Sequence, residues 1–364
     1  LGYEIINDPV TIKTYHVHSS NQRNYTIKDS IGQPWGLIVP YGFQYETIKN
    51  SLGTNLKQFI YWSKNFETLT YSDNNVLHDY IFKKLENNIP FIIPRISGIE
   101  NNVAVFQKVL SDKLTPDPGP LKQYIQNILY AMKNNAGIKL SNSNSIQQYS
   151  ELYLSAFHHC EIFAGWDPQG NYIGHISQSH AYMQNVYTSK KLIWALVFDI
   201  FHYIYVQPWT HALRNKRILI VSPFIDTIQG QLADREKIYG IDLFPECTFV
   251  FLKPPQTQAD ELCEDFCIEF DRFKRKVDTY INDFDIALLS CGGYANPIAS
   301  YIYSKGRSAI YVGGVLQMYF GILGNRWLEE RPDIVKLFHN HYWKRPSIKE
   351  RPVNSHKVEN GCYW

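Results

Sequence analysis

The sequence predicts an α/β fold: a Rossmann-like, mostly parallel sheet covered by helices on both faces. Three observations carry this. Unbroken apolar, β-branched runs recur at 216–224, 248–252, 285–290 and 308–312. Stretches with helical periodicity separate them. Each run ends in a polar or glycine-rich exit. Strands buried on both faces read as continuous hydrophobic runs, and alternation with helices marks a parallel sheet between helix layers.

The elements follow in order. Residues 1–45 read as irregular or strand-rich, with turn chemistry at Gln33-Pro34-Trp35-Gly36 and Pro40-Tyr41-Gly42. Residues 77–85 have a helical period, and Ile89-Pro90-Phe91-Ile92-Ile93-Pro94 is a short buried strand. Thr115-Pro116-Asp117-Pro118-Gly119-Pro120 is a rigid loop. Within 146–160, Tyr149, Leu152, Tyr153, Ala156 and Phe157 share one helix face. A strand at 162–166 precedes the turn Asp167-Pro168-Gln169-Gly170. Residues 192–206 read as a mostly apolar helix, 225–238 as a helix, and 259–281 as a charged amphipathic helix. The 285–290 strand leads into Cys291-Gly292-Gly293-Tyr294 and a helix to about Lys305; the 308–312 strand ends in Gly313-Gly314.

Composition excludes several classes. With 364 residues, 45% hydrophobic and 19% charged, the chain has a full core and is not globally disordered. A net charge of +2 gives no footprint for nucleic acid or a polybasic membrane patch. Asp199 and His202 interrupt the 192–206 stretch, so no membrane span is expected. Six cysteines, at 160, 247, 263, 267, 291 and 362, are too sparse for a disulfide scaffold and lack zinc spacing. Reduced thiols and a cytoplasmic location are expected. Aromatic residues reach 15%, a surplus that lines stacking sites for sugars and bases and also fills ordinary cores.

In open parallel sheets, ligands bind outside the carboxyl ends of the strands. Here those ends carry Ser222-Pro223-Phe224 with Asp226, Cys291-Gly292-Gly293-Tyr294 with Asn296, and Gly313-Gly314 with Gln317. Glycine lets a backbone approach phosphate closely, and a following helix N-terminus favours an anion. With no GxGxxG and no Walker lysine, the competing reading is that these glycines only make tight turns. Three such ends in one half favour a nucleotide site. In it Gly292, Gly293, Gly313 and Gly314 admit diphosphate or ribose, Asn296 and Gln317 hydrogen-bond ribose or base, Tyr294 stacks, and Ser222 joins them.

Arg95-Ile96-Ser97-Gly98-Ile99-Glu100 is a second constellation: a cation, a tight turn and a carboxylate after a buried strand. Arg95 suits a diphosphate and Glu100 a general base or metal ligand. An internal Arg–Glu pair that orients a loop is the alternative. Asp226 is the reserve carboxylate. His158 and His159 close a helix, as caps or on its solvent face. The acidic run at 260–265 reads as a solvated helix start.

The block 285–294, then 306–317, then Phe320-Gly321-Ile322-Leu323-Gly324-Asn325-Arg326-Trp327, closely resembles a family found in polysaccharide-biosynthesis gene sets of bacteria and large DNA viruses. So do Pro208-Trp209, Ala212-Leu213, Lys253-Pro254-Pro255-Gln256 and Asn360-Gly361-Cys362-Tyr363-Trp364. The resemblance covers roughly residues 85–364. That family looks like the GT-D class of glycosyltransferases, with a single Rossmann-like domain. The class carries Arg-x-Gly-Asp-Gly-Glu, whose Asp-x-Glu serves a metal-bound nucleotide sugar. Arg95 and Glu100 match, but Gly98 stands where the Asp would be. The resemblance implies catalytic Glu100 and Arg95, and Arg326 joins the donor-binding set; because Gly98 departs from the pattern, no cofactor is expected, with divalent Mn or Mg as the alternative.

Residues 12–25 are similar to the closing segment of some glycosyltransferase domains. This implies that 1–45 is a linker or the tail of an upstream glycosyltransferase domain of a viral multidomain enzyme. Residues 46–364 would form one glycosyltransferase domain, with its nucleotide-binding half at about 208–330. The expected reaction moves a sugar from a nucleoside-diphosphate donor, GDP-fucose as the single guess, to a glycan hydroxyl. The alternatives are a non-catalytic nucleotide- or glycan-binding module and a sugar-modifying enzyme such as a pyruvyl transferase or methyltransferase. The strand order of glycine loop and acidic residue that methyltransferases use is not seen.

Overall fold

The computed structural model describes residues 15–17, 23–28, 34–39, 65–112, 118–166, 178–199, 204, 207–330, 335 and 338–364. Within the first 45 residues, β1 (Tyr15–Val17), β2 (Arg23–Lys28) and β3 (Pro34–Val39) form an antiparallel meander. Tyr15 lies opposite Ile27, and Arg23 opposite Val39.

Helix α1 (Asn65–Glu86) precedes strand β4 (Ile92–Ile93). Three helices follow: α2 (Gly98–Asp112), α3 (Pro118–Asn134) and α4 (Ser143–His159). Asn142 caps α4 through its side chain, which accepts from the Ser145 backbone, with the Ser145 side chain returning the bond. Then come β5 (Ile162–Gly165), α5 (Gln178–Val186) and β6 (Lys191–Trp194). The C-terminal half runs β7 (Arg217–Val221), α6 (Ile225–Gln231), α7 (Arg235–Tyr239), β8 (Thr248–Leu252), α8 (Phe266–Asp278), β9 (Ile286–Leu289), α9 (Ala295–Ser304), β10 (Ser308–Tyr311), α10 (Leu316–Tyr319) and α11 (Asn325–Glu330).

The main sheet has the order β4-β10-β9-β7-β8, and every pairing in it is parallel. Successive side chains point to opposite faces, so each strand feeds two cores. Ile218, Ile220, Ile286, Leu288, Ile310 and Val312 belong to one apolar cluster. Leu219, Val221, Ala287, Leu289, Ala309 and Tyr311 belong to the other. This is the α/β sheet that the continuous runs predict. The parallel pair β5-β6 meets the β4 edge through a bridge between Arg95 and Ala164. From β7 the chain steps outward to β8, then returns to β9 on the other side of β7. The crevice between β7 and β9 is thus a topological switch point.

Several elements differ from the sequence expectation. The apolar run at 192–206 begins as strand β6 and a 3-10 turn, Ala195–Phe198, because pairing with β5 (Ile162 opposite Lys191) overrides helical propensity in a short apolar segment. Residues 200–203, 205 and 206 of that run lie outside the described residues. The charged helix starts at Phe266, where the Asp265 side chain accepts from the Cys267 backbone as N-cap. Residues 259–264 form a loop, so of the acidic run only Asp265 meets the helix, as its N-cap. Helix 225–238 is broken by a 3-10 turn at Leu232–Asp234. Pro118 opens α3, the first-turn position that proline tolerates, so the rigid loop ends there; 113–117 are outside the described residues. Gly98 is not a tight turn but the first residue of α2. The turn 167–170 also lies outside the described residues. All six cysteines are free thiols.

Residues 339–364 wrap over the sheet's carboxyl edge and are tied to it by Glu350, which is 2% exposed. Its carboxylate accepts from the backbone N–H of Asp226 at 2.8 Å, of Thr227 at 3.2 Å and of Ser347 at 3.2 Å, and from the Thr227 hydroxyl. A protein carboxylate therefore already fills the anion-receptive start of α6. Replacing Glu350 with alanine orphans those buried donors. We expect Glu350→Ala to cost about 2–3 kcal/mol, seen as a lower urea midpoint at constant m. An unchanged midpoint would show that this cap contributes nothing.

Candidate functional site

A cavity of about 320 Å³ lies over the carboxyl ends of all five strands of the main sheet. That is within the size range of small-molecule sites. The β4 end supplies Arg95 to Glu100, and the β10 end Gly313 and Gly314. The β9 end supplies Ser290, Cys291 and Gly292; the β7 end Pro223 and Phe224; the loop after β8 Pro254, Gln256 and Gln258. Trp166, Arg326, Glu359, Tyr363 and Trp364 complete the walls.

Arg95 is held by its backbone and its plane. The Asn296 amide donates to the Arg95 carbonyl at 2.9 Å and accepts from its N–H at 3.3 Å. Nη1 donates to the Val312 carbonyl at 2.7 Å. The guanidinium lies over the Trp166 ring, 4.5 Å from its centroid. Trp166 is fixed in turn: its indole N–H donates to the Ile96 carbonyl at 3.0 Å, and its backbone N–H to His180 Nε2 at 3.2 Å. Gly313 sits at φ +86°, and a Cβ there would collide with Arg95 Nη1. Burial lowers the Arg95 pKa, while Tyr311 and Asp199 favour its charge through space. Among the described residues Arg95 thus contacts a carbonyl and a ring and forms no ion pair with a carboxylate. A planar fork in that state is receptive to a ligand anion.

Glu100 is the third residue of α2 and 8% exposed. Burial pushes its carboxyl above the usual range; its own backbone N–H, the Ser97 hydroxyl and, last, Arg95 act the other way. The Ser97 N–H donates to the Tyr153 hydroxyl at 3.2 Å, which fixes the entry to the helix. Arg95 and Glu100 share the cavity without forming an ion pair with each other. That removes the reading of a structural Arg–Glu pair.

Arg326 forms the opposite wall. It ion-pairs with Glu359, donates to the Tyr363 hydroxyl at 2.8 Å and lies 4.7 Å from that ring's centroid. Gly314 has no side chain because the Tyr363 ring occupies that space. Gly292, at φ +52°, also lines the cavity.

Other predicted site residues are placed elsewhere. Gly293 does not face the cavity: a Cβ there would strike Ile138, its N–H donates to the Ala136 carbonyl at 3.0 Å, and its carbonyl accepts from Tyr149 at 3.1 Å. Tyr294 is 1% exposed and packs on Phe266 and Phe273, so it cannot stack on a ligand. Asn296 is spent on the Arg95 backbone. Gln317 is buried and donates to the Ile322 carbonyl at 3.1 Å. Ser222 is buried, its hydroxyl accepting from the Phe224 N–H at 3.2 Å. Asp226 is exposed, and its backbone serves the Glu350 cap. His158 packs edge-on against Tyr187 and His159 against Tyr303, away from the cavity. Residues that sequence reasoning passed over include Trp166, Gln258, Glu359, Tyr363 and Trp364. The signals were the end of the 162–166 strand run and the closing 360–364 motif, which carried resemblance but no assigned role.

The donor set does not fit a dedicated divalent cation. Glu100 and Glu359 both line the cavity, but Gly98 offers no ligand, and among the described residues no three His, Cys, Asp or Glu side chains gather for a metal ion. A Cβ at Gly98 would meet nothing within 4 Å.

No protein-family model matches the chain, and no curated protein does. Two solved structures are similar to it. One is a selenomethionine-substituted domain of unknown function 1792, with a TM-score of 0.38 and 11% identity over 77% of this chain and 96% of that one. The other is described as the highly conserved domain of unknown function 1792 with a distinct glycosyltransferase fold, with a TM-score of 0.39 and 12% identity over the same shares. At such TM-scores the chain's own geometry has to carry the functional argument.

The raised Glu100 carboxyl has a consequence for stability. Between its unfolded and folded pKa the native state holds more protons, so stability falls as pH rises through that window. Below the unfolded value, about 4.3, the penalty vanishes. Glu100→Gln, which cannot ionise, should therefore raise the melting temperature at pH 8 and raise it much less near pH 4. Equal shifts at both pH values would show that Glu100 ionises without cost.

Proposed function

We propose that the chain is a glycosyltransferase that moves a sugar from a nucleoside-diphosphate donor to a glycan hydroxyl. One observation carries this reading. A stacked guanidinium with no carboxylate ion pair among the described residues and a buried carboxylate at a helix start share one cavity, above the strand ends at the sheet's switch point. That combination suits a reaction in which a diphosphate leaves and a hydroxyl loses a proton.

In this reading Glu100 takes the proton of the acceptor hydroxyl as that oxygen attacks the anomeric carbon. The bond from the anomeric carbon to the diphosphate oxygen breaks, and its electron pair leaves with the diphosphate. Arg95 meets that charge with its planar fork, and Arg326 adds a second cation from the opposite wall. A carboxylate raised toward neutrality by burial is a stronger base than an exposed one. Trp364, in the cavity wall, offers aromatic surface for a sugar ring. No step uses a metal ion. The donor to test first is GDP-fucose, by analogy with metal-free fucosyl transfer and not from any residue that reads guanine.

A second reading, a non-catalytic nucleotide- or glycan-binding module, is favoured by Gly98 at the position where the resemblance expects an aspartate. It predicts binding without turnover. A thermal-shift panel of GDP-, UDP- and CMP-sugars with a glycan-transfer assay separates the two, since only real ligands raise the melt. For the transferase, Glu100→Gln should lower kcat at least about a hundredfold with donor binding retained. Arg95→Lys should not restore what Arg95→Ala loses, and EDTA should have little effect. A fully active Glu100→Gln enzyme would remove Glu100 from the chemistry, and an EDTA-sensitive enzyme restored by Mn²⁺ would make it a metal ligand.

A further inference from the structure

The end of the cavity away from Arg95 is built from amides. Gln256 and Gln258 both line it, and the buried Thr257 between them points away. Two carboxamides from one loop thus line the cavity together.

The loop that carries them is braced from below. The Thr257 hydroxyl donates to the Gly137 carbonyl. Lys133 Nζ, at the end of α3, donates to the carbonyls of Thr257 at 2.6 Å, Ala259 at 3.0 Å and Glu261 at 3.1 Å. The Ala259 N–H donates to the Asn134 carbonyl at 3.1 Å, and Ala259 is held at φ +47°, a conformation that costs a residue with a Cβ. Such a loop presents its side chains in one place.

Gly137 seats Gln258, and Gly292 lies beside it. At Gly137 (φ +73°) a Cβ would lie 3.1 Å from Gln258 Cγ and Cδ. At Gly292 a Cβ would lie 3.9 Å from Gln258 Nε2. The Gln258 Oε1 accepts from the Thr257 N–H at 3.2 Å, which sets the amide's orientation. Its Nε2 donates to no group among the described residues. Among the described residues Gln256 Nε2 donates only to the Pro254 carbonyl, at 3.4 Å. Amide donors beside Gly292 in the cavity wall are suited to the polar edge of a planar heterocycle. Gln258 lies beside Gly292 at the β9 end, next to the β10 end where the Arg95 guanidinium meets Val312 and Gly313, so the amide and the guanidinium address neighbouring parts of one cavity.

We infer that Gln258, assisted by Gln256, binds the hydrogen-bonding edge of the nucleobase of the donor, with the diphosphate toward Arg95. This rests on the glycosyltransferase reading and adds the polarity of the donor and the residues that select its base.

The test uses the intact chain with GDP, UDP, ADP, CDP and inorganic pyrophosphate as calorimetric probes. The wild type should bind one nucleoside diphosphate better than pyrophosphate. Gln258→Leu should weaken that nucleotide about tenfold or more, because the base edge loses its partner, and leave pyrophosphate affinity unchanged. Arg95→Ala should weaken both. Gln258→Glu, which keeps the shape and exchanges donors for acceptors, should change the order of base preference; it carries the test if the leucine variant does not fold. Nucleotide affinity and base order unchanged in the Gln258 variants would overturn the base site and leave the transferase reading standing. Equal loss of nucleotide and pyrophosphate in Gln258→Leu would also overturn it, as collapse of the loop. A wild type that binds none of the nucleotides would overturn both readings.

Discussion

The placement of one guanidinium organises this molecule. Arg95 leaves the sheet at the end of its shortest strand, and three separate parts of the chain fix it there. Asn296, from the start of α9, clamps its backbone. Ala164 of β5 pairs with it on the other side. The Val312 carbonyl takes its Nη1, and Trp166 supplies the face beneath its plane. Gly313 yields the volume. A buried cation is costly unless its hydrogen bonds are met, and here they are only partly met. The chain accepts an unfavourable charge where the cavity opens, and the loss of Arg95 pKa through burial is its signature.

The same tension holds for Glu100. It sits at a helix start that favours negative charge, yet burial dominates and raises its carboxyl. Two groups of opposite sign in one cavity would neutralise each other cheaply if paired. They are kept apart, each on its own support, so both remain directed at the cavity. Perturbed ionisable groups collected in a cleft are the usual mark of a working site.

The C-terminal segment closes the arrangement. Glu350 anchors it to α6; Arg345 Nη1 donates to the Trp364 carbonyl at 3.1 Å, and the Trp364 indole donates to the Glu350 carbonyl at 3.3 Å. This carries Tyr363 and Trp364 to the cavity wall. The anion-receptive end of α6, expected to serve a ligand, holds the wall in place instead.

The layered α/β sheet was legible in the sequence because continuous apolar runs can be buried only between two helix layers. That Arg95, Glu100 and the strand ends would line one cavity was legible for the same local reasons, residue type and proximity in sequence. What the polar residues at those ends do was not. Tyr294, Asn296, Gln317 and Gly293 have ligand-binding chemistry, but it is spent on protein partners: Phe266, the Arg95 backbone, the Ile322 carbonyl and the Ala136 carbonyl. Gly313 and Gly314 lack side chains to admit Arg95 and Tyr363, residues 218 positions before and 49 positions after them respectively. A one-dimensional pattern states which chemistry a residue carries. Which atom meets it first, a ligand or a distant part of the same chain, is decided by tertiary packing, because a buried polar group is satisfied by whatever the fold brings within about 3 Å.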